Sequence, residues 1–331
     1  MTRGGSRVGA PAPADPAGPG RSAPAEPAPA APRGPIAGTL SAIRRYPVKS
    51  CRGHAVGTAL VEPWGLAGDR RWALVNPDGK TVTGREHPRF VLVEPELTAA
   101  GLLLRAPGAT PLRVSAPASG PSVELSLWAS TVRAVAAAEA ASEWFSAVLD
   151  APVRLVYLAD PTLRQVDPVF GRPDDRVSLA DGYPLLLTAR ESLDALNDLV
   201  LERAGGMGDG LADGLADGLA DGGGEPLSMT RFRPNLVVTG GAAWAEDRWR
   251  RVRIGDAVFR MVKRCARCVF TTVDPDTGQR GKEPLRTLAR HRRWDGKTWF
   301  GVNLVPDNPG VTLRVGDPVE VLEWGPAPAP D

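Results

Sequence analysis

The sequence predicts an α+β fold in which β structure dominates, arranged as two successive domains between unstructured ends. Three observations predict it. The 331-residue length holds two domains at ~100–200 residues each. From Thr39 onward the chain is built of short, β-branched runs of strand length, divided by Gly, Pro and Asn-Pro-Asp-Gly turns. Helical spacing of apolar residues is confined to a few short segments.

Residues 1–37 are almost entirely Ala, Pro and Gly with a few charges, a composition that buries too little apolar surface to offset chain entropy and reads as a disordered tail. The first domain, 38–150, follows. It contains the segment Thr39–Val48 and strand-length runs at Ala55–Glu62, Trp72–Val75, Phe90–Val93 and Leu102–Arg105, with a turn at Asn76-Pro77-Asp78-Gly79, and reads as a compact β-barrel or sandwich. Its closing element is a helix over Glu139–Leu149, where Trp144, Phe145, Val148 and Leu149 share a face. The second domain, 151–323, opens with a strand at Val153–Leu158 and a helix at Arg190–Arg203. An insertion at 205–228 contains three Leu-Ala-Asp-Gly repeats, whose period of four does not match calcium-binding nonapeptides and whose glycines favour a flexible loop. Strands are predicted at Leu236–Thr239, Trp249–Ile254, Ala257–Val262, Val269–Val273, Trp299–Val305 and Val319–Glu323, with a helix over Leu285–Arg293 opened by Pro284 and a tail at 324–331.

Composition excludes several classes of function. With 40 Lys+Arg against 38 Asp+Glu the net charge is +2, so the chain is no general nucleic-acid binder and any basic site must be local. No window approaches the ~18 consecutive apolar residues of a membrane span and no signal peptide precedes the first domain, so a cytoplasmic location is expected. Three cysteines are too few for a disulfide framework or an internal iron–sulfur cluster, which leaves the thiols for other chemistry.

The most specific stretch is Lys263-Arg264-Cys265-Ala266-Arg267-Cys268-Val269-Phe270-Thr271-Thr272-Val273-Asp274. A Cys-x-x-Cys unit among cations points to metal ligation or redox chemistry, because nearby positive charge favours the thiolate. Three readings stand side by side: a zinc site completed by Cys51 and His54, a thioredoxin-like dithiol, and two small cysteines buried in a core strand. Four further features bear on them. Lys49 and Ser50 end the Tyr46–Ser50 segment, Arg70 and Arg71 open a strand after Gly68, Arg231, Arg233 and Asn235 precede another, and Asp181 stands before an apolar run. Singly, each cation reads as a solvated charge; together, cations at strand ends are what a phosphate-bearing anionic cofactor requires.

Taken together, Tyr46–Ser50, Gly68–Trp72, Arg231–Asn235, Cys265–Gly278, Asn308-Pro309-Gly310 and Val315-Gly316-Asp317-Pro318 resemble the MOSC proteins that carry an N-terminal β-barrel domain. The resemblance runs in order from Thr39 to Glu323 and implies an N-terminal β-barrel domain followed by a MOSC β-barrel domain with peripheral helices. It also implies a molybdenum cofactor, a phosphate-bearing pterin dithiolene, with Cys268 as the protein's metal ligand and Cys265 beside it. Cofactor-binding positions fall on Lys49, Ser50, Arg70, Arg233, Asn235 and Arg267, and on Asn303 where the pattern has an aromatic residue; Asp181 matches an acidic residue near the metal. The activity implied is reduction of N-hydroxylated compounds such as amidoximes and hydroxylamino-purines. The protein would act as a monomer, supplied with electrons by a separate iron–sulfur or haem protein and its flavin reductase. A cofactor carrier or sulfuration module is the alternative that the same motifs allow.

Overall fold

In the computed structural model, residues 1–2, 36–128, 130–206 and 225–326 are described. Strands alternate buried and exposed residues as one-sided sheets require, for example Thr58–Glu62, where Ala59 and Val61 point inward. Seven strands close into a barrel in the order Leu185–Ala189, Leu236–Thr239, Ile36–Arg45, Pro318–Trp324, Trp249–Ile254, Ala257–Ala266 and Lys297–Pro306, the last pairing back onto the first. Closure leaves no unpaired edge in this part of the molecule. Leu40, Ile43, Leu187, Leu236, Val252, Phe259, Val302 and Leu304 fill its interior. The pairing of Leu185–Ala189 with Leu236–Thr239 is parallel, and such neighbours need a crossover, which begins with the helix Arg190–Gly206.

The other half is a half-barrel. A sheet ordered Ser122–Leu127, Ser130–Ala136, Arg154–Tyr157, Trp72–Val75, Thr81–Val82 stands with a meander of Glu94–Thr98, Gly101–Ala106 and Ala109–Ser115. The helix Glu139–Leu149 forms over the expected span: Ala141, Phe145 and Leu149, four residues apart, are its buried face, and Asp150 ends it in a left-handed conformation. They join a core of Val48, Cys51, Trp72, Leu74, Phe90 and Leu155.

Strands pair across residue 150: Ile36–Arg45 completes the barrel of the second half, and Arg154–Tyr157 pairs with Trp72–Val75 of the first. Sequence order does not reveal such pairings, because the partners lie far apart along the chain. Ala55–Glu62 is interrupted at Gly57 into His54–Val56 and Thr58–Glu62. Phe90–Val93 is not a strand but lies in and after a 3-10 turn over Pro88–Leu92, since Pro88 fixes its own φ and removes a ladder donor. Val269–Thr272 is also a 3-10 turn: the hydroxyls of Thr271 and Thr272 donate to the carbonyls of Cys268 (2.9 Å) and Val269 (2.8 Å), local bonds that compete with a sheet. The preceding strand instead extends to Ala266, and the later helix spans Leu285–His291 with Pro284 as its cap. The final strand runs to Trp324, inside the expected tail, and Leu227, inside the expected insertion, is buried with its N–H donating to Asn197 Oδ1 at 2.7 Å. The Leu-Ala-Asp-Gly repeats and nearly all of the N-terminal segment lie outside the described residues. No helix among the described residues is long and apolar enough to cross a membrane.

One buried carboxyl gives the barrel a pH-dependent stability. Glu246 is 1% exposed, and desolvation, reinforced by the neighbouring Asp247 charge, pushes its pKa up to about 7. It accepts from Ser192 Oγ at 2.8 Å and from the Ala189 N–H at 3.4 Å. The folded state therefore holds a proton that the unfolded chain releases near 4.5, so stability falls as pH rises from about 4.5 to about 7 and stays lower above it. Glu246→Gln keeps the shape without the charge. Its expected effect is a gain of roughly 2–3 kcal/mol at pH 8 and little change at pH 4.5. Thermal midpoints of both proteins at the two pH values check it; equal shifts at both would disprove the titration.

Candidate functional site

Seven chain segments, spread from Lys49 to Asn303, converge on one cleft of about 830 Å³. Three non-glycine residues on its walls, Ser50 (φ 69°), Arg70 (φ 46°) and Arg233 (φ 56°), hold left-handed backbone conformations. Such conformations cost about 1–3 kcal/mol each and persist where the surroundings over-determine them. The supports are visible. The Arg70 N–H donates to the Tyr46 carbonyl at 2.7 Å and the Lys49 N–H to the Trp72 carbonyl at 2.8 Å. Asp69, 1% exposed, accepts from the Tyr46 N–H at 2.8 Å and from Arg70 Nη1 at 2.5 Å. Arg70 donates further to Asn235 Oδ1 at 2.9 Å and to the Arg233 carbonyl at 3.3 Å. The Tyr46 ring lies 4.4 Å from the Arg70 guanidinium and 4.3 Å from that of Arg233, two cation–π contacts that hold like charges near one another.

Lys49 is 5% exposed, and its ammonium donates to the Leu179 carbonyl at 3.0 Å and to Asp181 Oδ1 at 2.5 Å. Burial lowers the Lys49 pKa to about 8, with Asp181 opposing the shift. Desolvation raises the Asp181 carboxyl, but Lys49, with Arg85 and the Trp128 indole N–H, outweighs it and holds Asp181 well below the usual carboxylate range. The Asp181 side chain is 56% exposed at the cleft mouth. Its backbone is fixed by Arg164, whose guanidinium donates to the carbonyls of Ser178 (2.5 Å), Ala180 (2.5 Å) and Asp181 (3.0 Å).

The two cysteines of the Cys-x-x-Cys unit have different surroundings. Cys265 ends a barrel strand half-buried, with Arg267 Nη1 donating to its Sγ at 2.9 Å. Cys268 caps the following 3-10 turn, is exposed, and its thiol makes no hydrogen bond among the described residues. The turn is seated by Phe270, which packs on Gly84 so closely that a Cβ there would lie 2.1 Å from its ring. The reading of two cysteines buried in a core strand is thereby corrected. Cys51 sits in the apolar core, where desolvation pushes its thiol pKa up, and no group of three or more His, Cys, Asp or Glu side chains is placed to hold a metal among the described residues. The zinc reading therefore has no site, and neither cysteine stands at the N-terminus of an α-helix as the dithiol reading requires.

The nine positions that the resemblance assigns to the site all border this cleft: Lys49, Ser50, Arg70, Asp181, Arg233, Asn235, Arg267, Cys268 and Asn303. They are not equivalent. Asn235, 1% exposed, spends its amide on Arg70, the Leu186 N–H (3.2 Å) and the Arg44 carbonyl (3.2 Å), so it positions neighbours rather than reaching into the cleft. Asn303 is turned to the Arg264 carbonyl at 3.4 Å. Residues the sequence did not single out are Arg85 and Arg164. Isolated cations in loops carry no local signal, and only their convergence on Asp181 and the cleft gives them meaning.

The donor set fits a phosphate-bearing cofactor with a thiolate-liganded transition metal. Arg233 Nη2 and Arg267 Nε are buried without hydrogen-bond partners, although Arg233 Nη1 donates to the Cys51 carbonyl at 2.7 Å. Buried guanidinium N–H groups left unpaired are costly and call for an anion. Beside them the open Cys268 thiol supplies a soft ligand, suited to a soft or redox-active metal rather than to magnesium or calcium.

Comparison with known proteins agrees with this architecture. Residues 37–152 match the MOSC N-terminal beta barrel domain and residues 174–320 the MOSC domain, a molybdenum-cofactor-sulfurase C-terminal-like domain. Mitochondrial amidoxime-reducing component 1 of Mus musculus is 34% identical over 305 residues, covering 86% of this chain and 82% of that protein. The Homo sapiens component 1 is 33% identical over 308 residues (86% and 83% covered), and the human component 2 is 32% identical over 302 residues (85% and 83%). With both domains matched in order and the similarity spanning barrel, half-barrel and cleft, the chain belongs to the MOSC family whose members carry an N-terminal MOSC β-barrel domain, the family of the amidoxime-reducing components.

Proposed function

We propose that the protein is a molybdenum-cofactor-dependent reductase of N-hydroxylated compounds, amidoximes among them. The observation that carries this reading is the open Cys268 thiol standing in a cleft whose buried Arg233 and Arg267 nitrogens lack partners. The names of the relatives support the reaction class. When bound, the cofactor supplies two-electron redox chemistry and an acceptor for the substrate oxygen.

The chain's own residues supply the rest. Lys49, Arg70 and Arg233 would hold the phosphate, Arg70 being held in aim by Asp69 and Asn235. Cys268 provides the protein thiolate, and Arg267 keeps the Cys265 thiol turned aside. Asp181, ionised and exposed at the mouth, is placed to accept a hydrogen bond from the substrate N-hydroxyl group, with Arg85 and Trp128 flanking it. The net conversion takes an amidoxime, two electrons and two protons to an amidine and water, so the reaction needs an electron donor.

The test is elemental analysis of protein purified from a host that makes molybdenum cofactor, followed by chemical reduction and addition of an amidoxime. About one molybdenum per chain, with reoxidation dependent on the amidoxime and amidine as product, is the expected result. Molybdenum without substrate-dependent reoxidation would assign the carrier role instead, and protein lacking molybdenum would overturn both.

A further inference from the structure

Behind the wall formed by Arg231, Arg233 and Phe270 lies a second cleft of about 670 Å³, which those three residues share with the first. Its remaining walls include Arg44, Arg52, Ser228 and Thr230. The charges on this cleft are unevenly matched. Arg52 is bound to Asp276 (3.1 Å) and Arg231 to Asp274 (2.7 Å). Arg44 and Arg233 have no ion-pair partner among the described residues, and Arg44 Nε and Arg233 Nη2 are buried without any hydrogen bond. Among the described residues the side chain of Arg44 makes one hydrogen bond, a long one of 3.4 Å to the Gly53 carbonyl. The Ser228 and Thr230 hydroxyls, hydrogen-bonded to each other at 2.7 Å, leave one further donor on the same wall.

We infer that this rear cleft is a second phosphate-binding site, with Arg44 its own cation and Arg233 shared with the front cleft. Guanidinium pairs with adjacent hydroxyls match a phosphate's tetrahedral acceptors, and half-buried positive charge without a carboxylate is stabilised by an anion. Arg44 does not border the front cleft, so the rear site has a residue that can be changed without touching the cofactor's proposed contacts. The phosphate has two candidate sources. It is carried either by a nucleotide extension of the pterin reaching past Arg233 or by a separate phosphorylated molecule. The first source rests on the proposed function; the site itself does not.

The experiment uses cofactor-loaded protein, wild type and Arg44→Gln, with molybdenum content and thermal midpoint measured for each. Inorganic phosphate is titrated by calorimetry, and acid extracts are assayed for nucleoside monophosphate. One bound phosphate per chain, weakened at least about tenfold by Arg44→Gln at unchanged molybdenum and midpoint, supports a site open to free phosphate. One nucleoside monophosphate per molybdenum in the wild-type extract, with added phosphate excluded and the ratio reduced in Arg44→Gln, supports a cofactor extension. Phosphate affinity or nucleotide content unaffected by Arg44→Gln, or neither ligand found, overturns the site. If the preparation holds no molybdenum, the proposed function fails. The rear site is then still read from the loss of one phosphate equivalent in Arg44→Gln, because the front cleft keeps its own.

Discussion

Cys268→Ser is expected to remove essentially all bound molybdenum, while Cys265→Ser retains most of it, its affinity for the cofactor falling about tenfold or less. The two thiols are three positions apart in a motif that treats them alike, and the fold separates them. Cys268 is exposed at the head of a 3-10 turn with its sulfur free, whereas Cys265 ends a strand and already accepts from Arg267 at 2.9 Å. Serine at 268 offers a hard, weakly acidic oxygen in place of a soft thiolate, and softness is what favours a thiolate-liganded transition metal here. Serine at 265 still accepts from Arg267, so the turn and its thiol stay in place. Molybdenum per chain in the three proteins is the measurement. Equal loss from both variants would mean that the cysteines act as a pair and would remove Cys268 from its assigned role.

Asp69→Ala is expected to destabilise the fold by about 3–5 kcal/mol, because it strips the partner from a buried charge rather than removing an isolated bond. Asp69 is 1% exposed and serves both the Arg70 guanidinium and the Tyr46 N–H. Without it, Arg70 and Arg233 crowd the Tyr46 ring with no carboxylate between them, and the Tyr46 N–H loses its acceptor. Asp69→Asn keeps an acceptor for that N–H and should cost less. Asp69→Ala combined with Arg70→Met should recover part of the loss, since the uncompensated charge is then gone. Urea midpoints for the series decide it, and a loss below about 1 kcal/mol for Asp69→Ala would show that the charges are not coupled through this carboxylate.

How much of the site was legible depends on the kind of signal. Lys49, Arg70 and Arg233 stand out because each ends or opens a strand within a compact motif. The partners of Asn235 are not legible in the same motif, because a side chain's partners are set by what folds against it; here these are Arg70 and Leu186, distant in sequence. Arg164 and Arg85 were not legible at all. Their meaning comes from bonds to the Asp181 loop, and no local pattern marks a loop arginine as buried against a carbonyl.

The sequence by itself determined the β-dominant class, the helix Glu139–Leu149 with its four-residue apolar spacing, the strands Trp72–Val75, Leu236–Thr239 and Trp249–Ile254, and the group of basic and thiol residues that line the cleft. The elements follow from periodicity and turn chemistry, which are local, and the cleft residues from the motifs that carry the family resemblance. Tertiary structure alone decided that Ile36–Arg45 closes the second barrel, that Val269–Thr272 turns rather than extends, and that Cys51 is core while Cys268 is open. It also brought Lys49 to Asp181 across 132 residues and Arg70 to Asn235 across 165. Apolar and β-branched residues set where strands form, but which strands pair, and which polar groups are left without partners, depends on contacts between distant segments that exist only after the chain has folded.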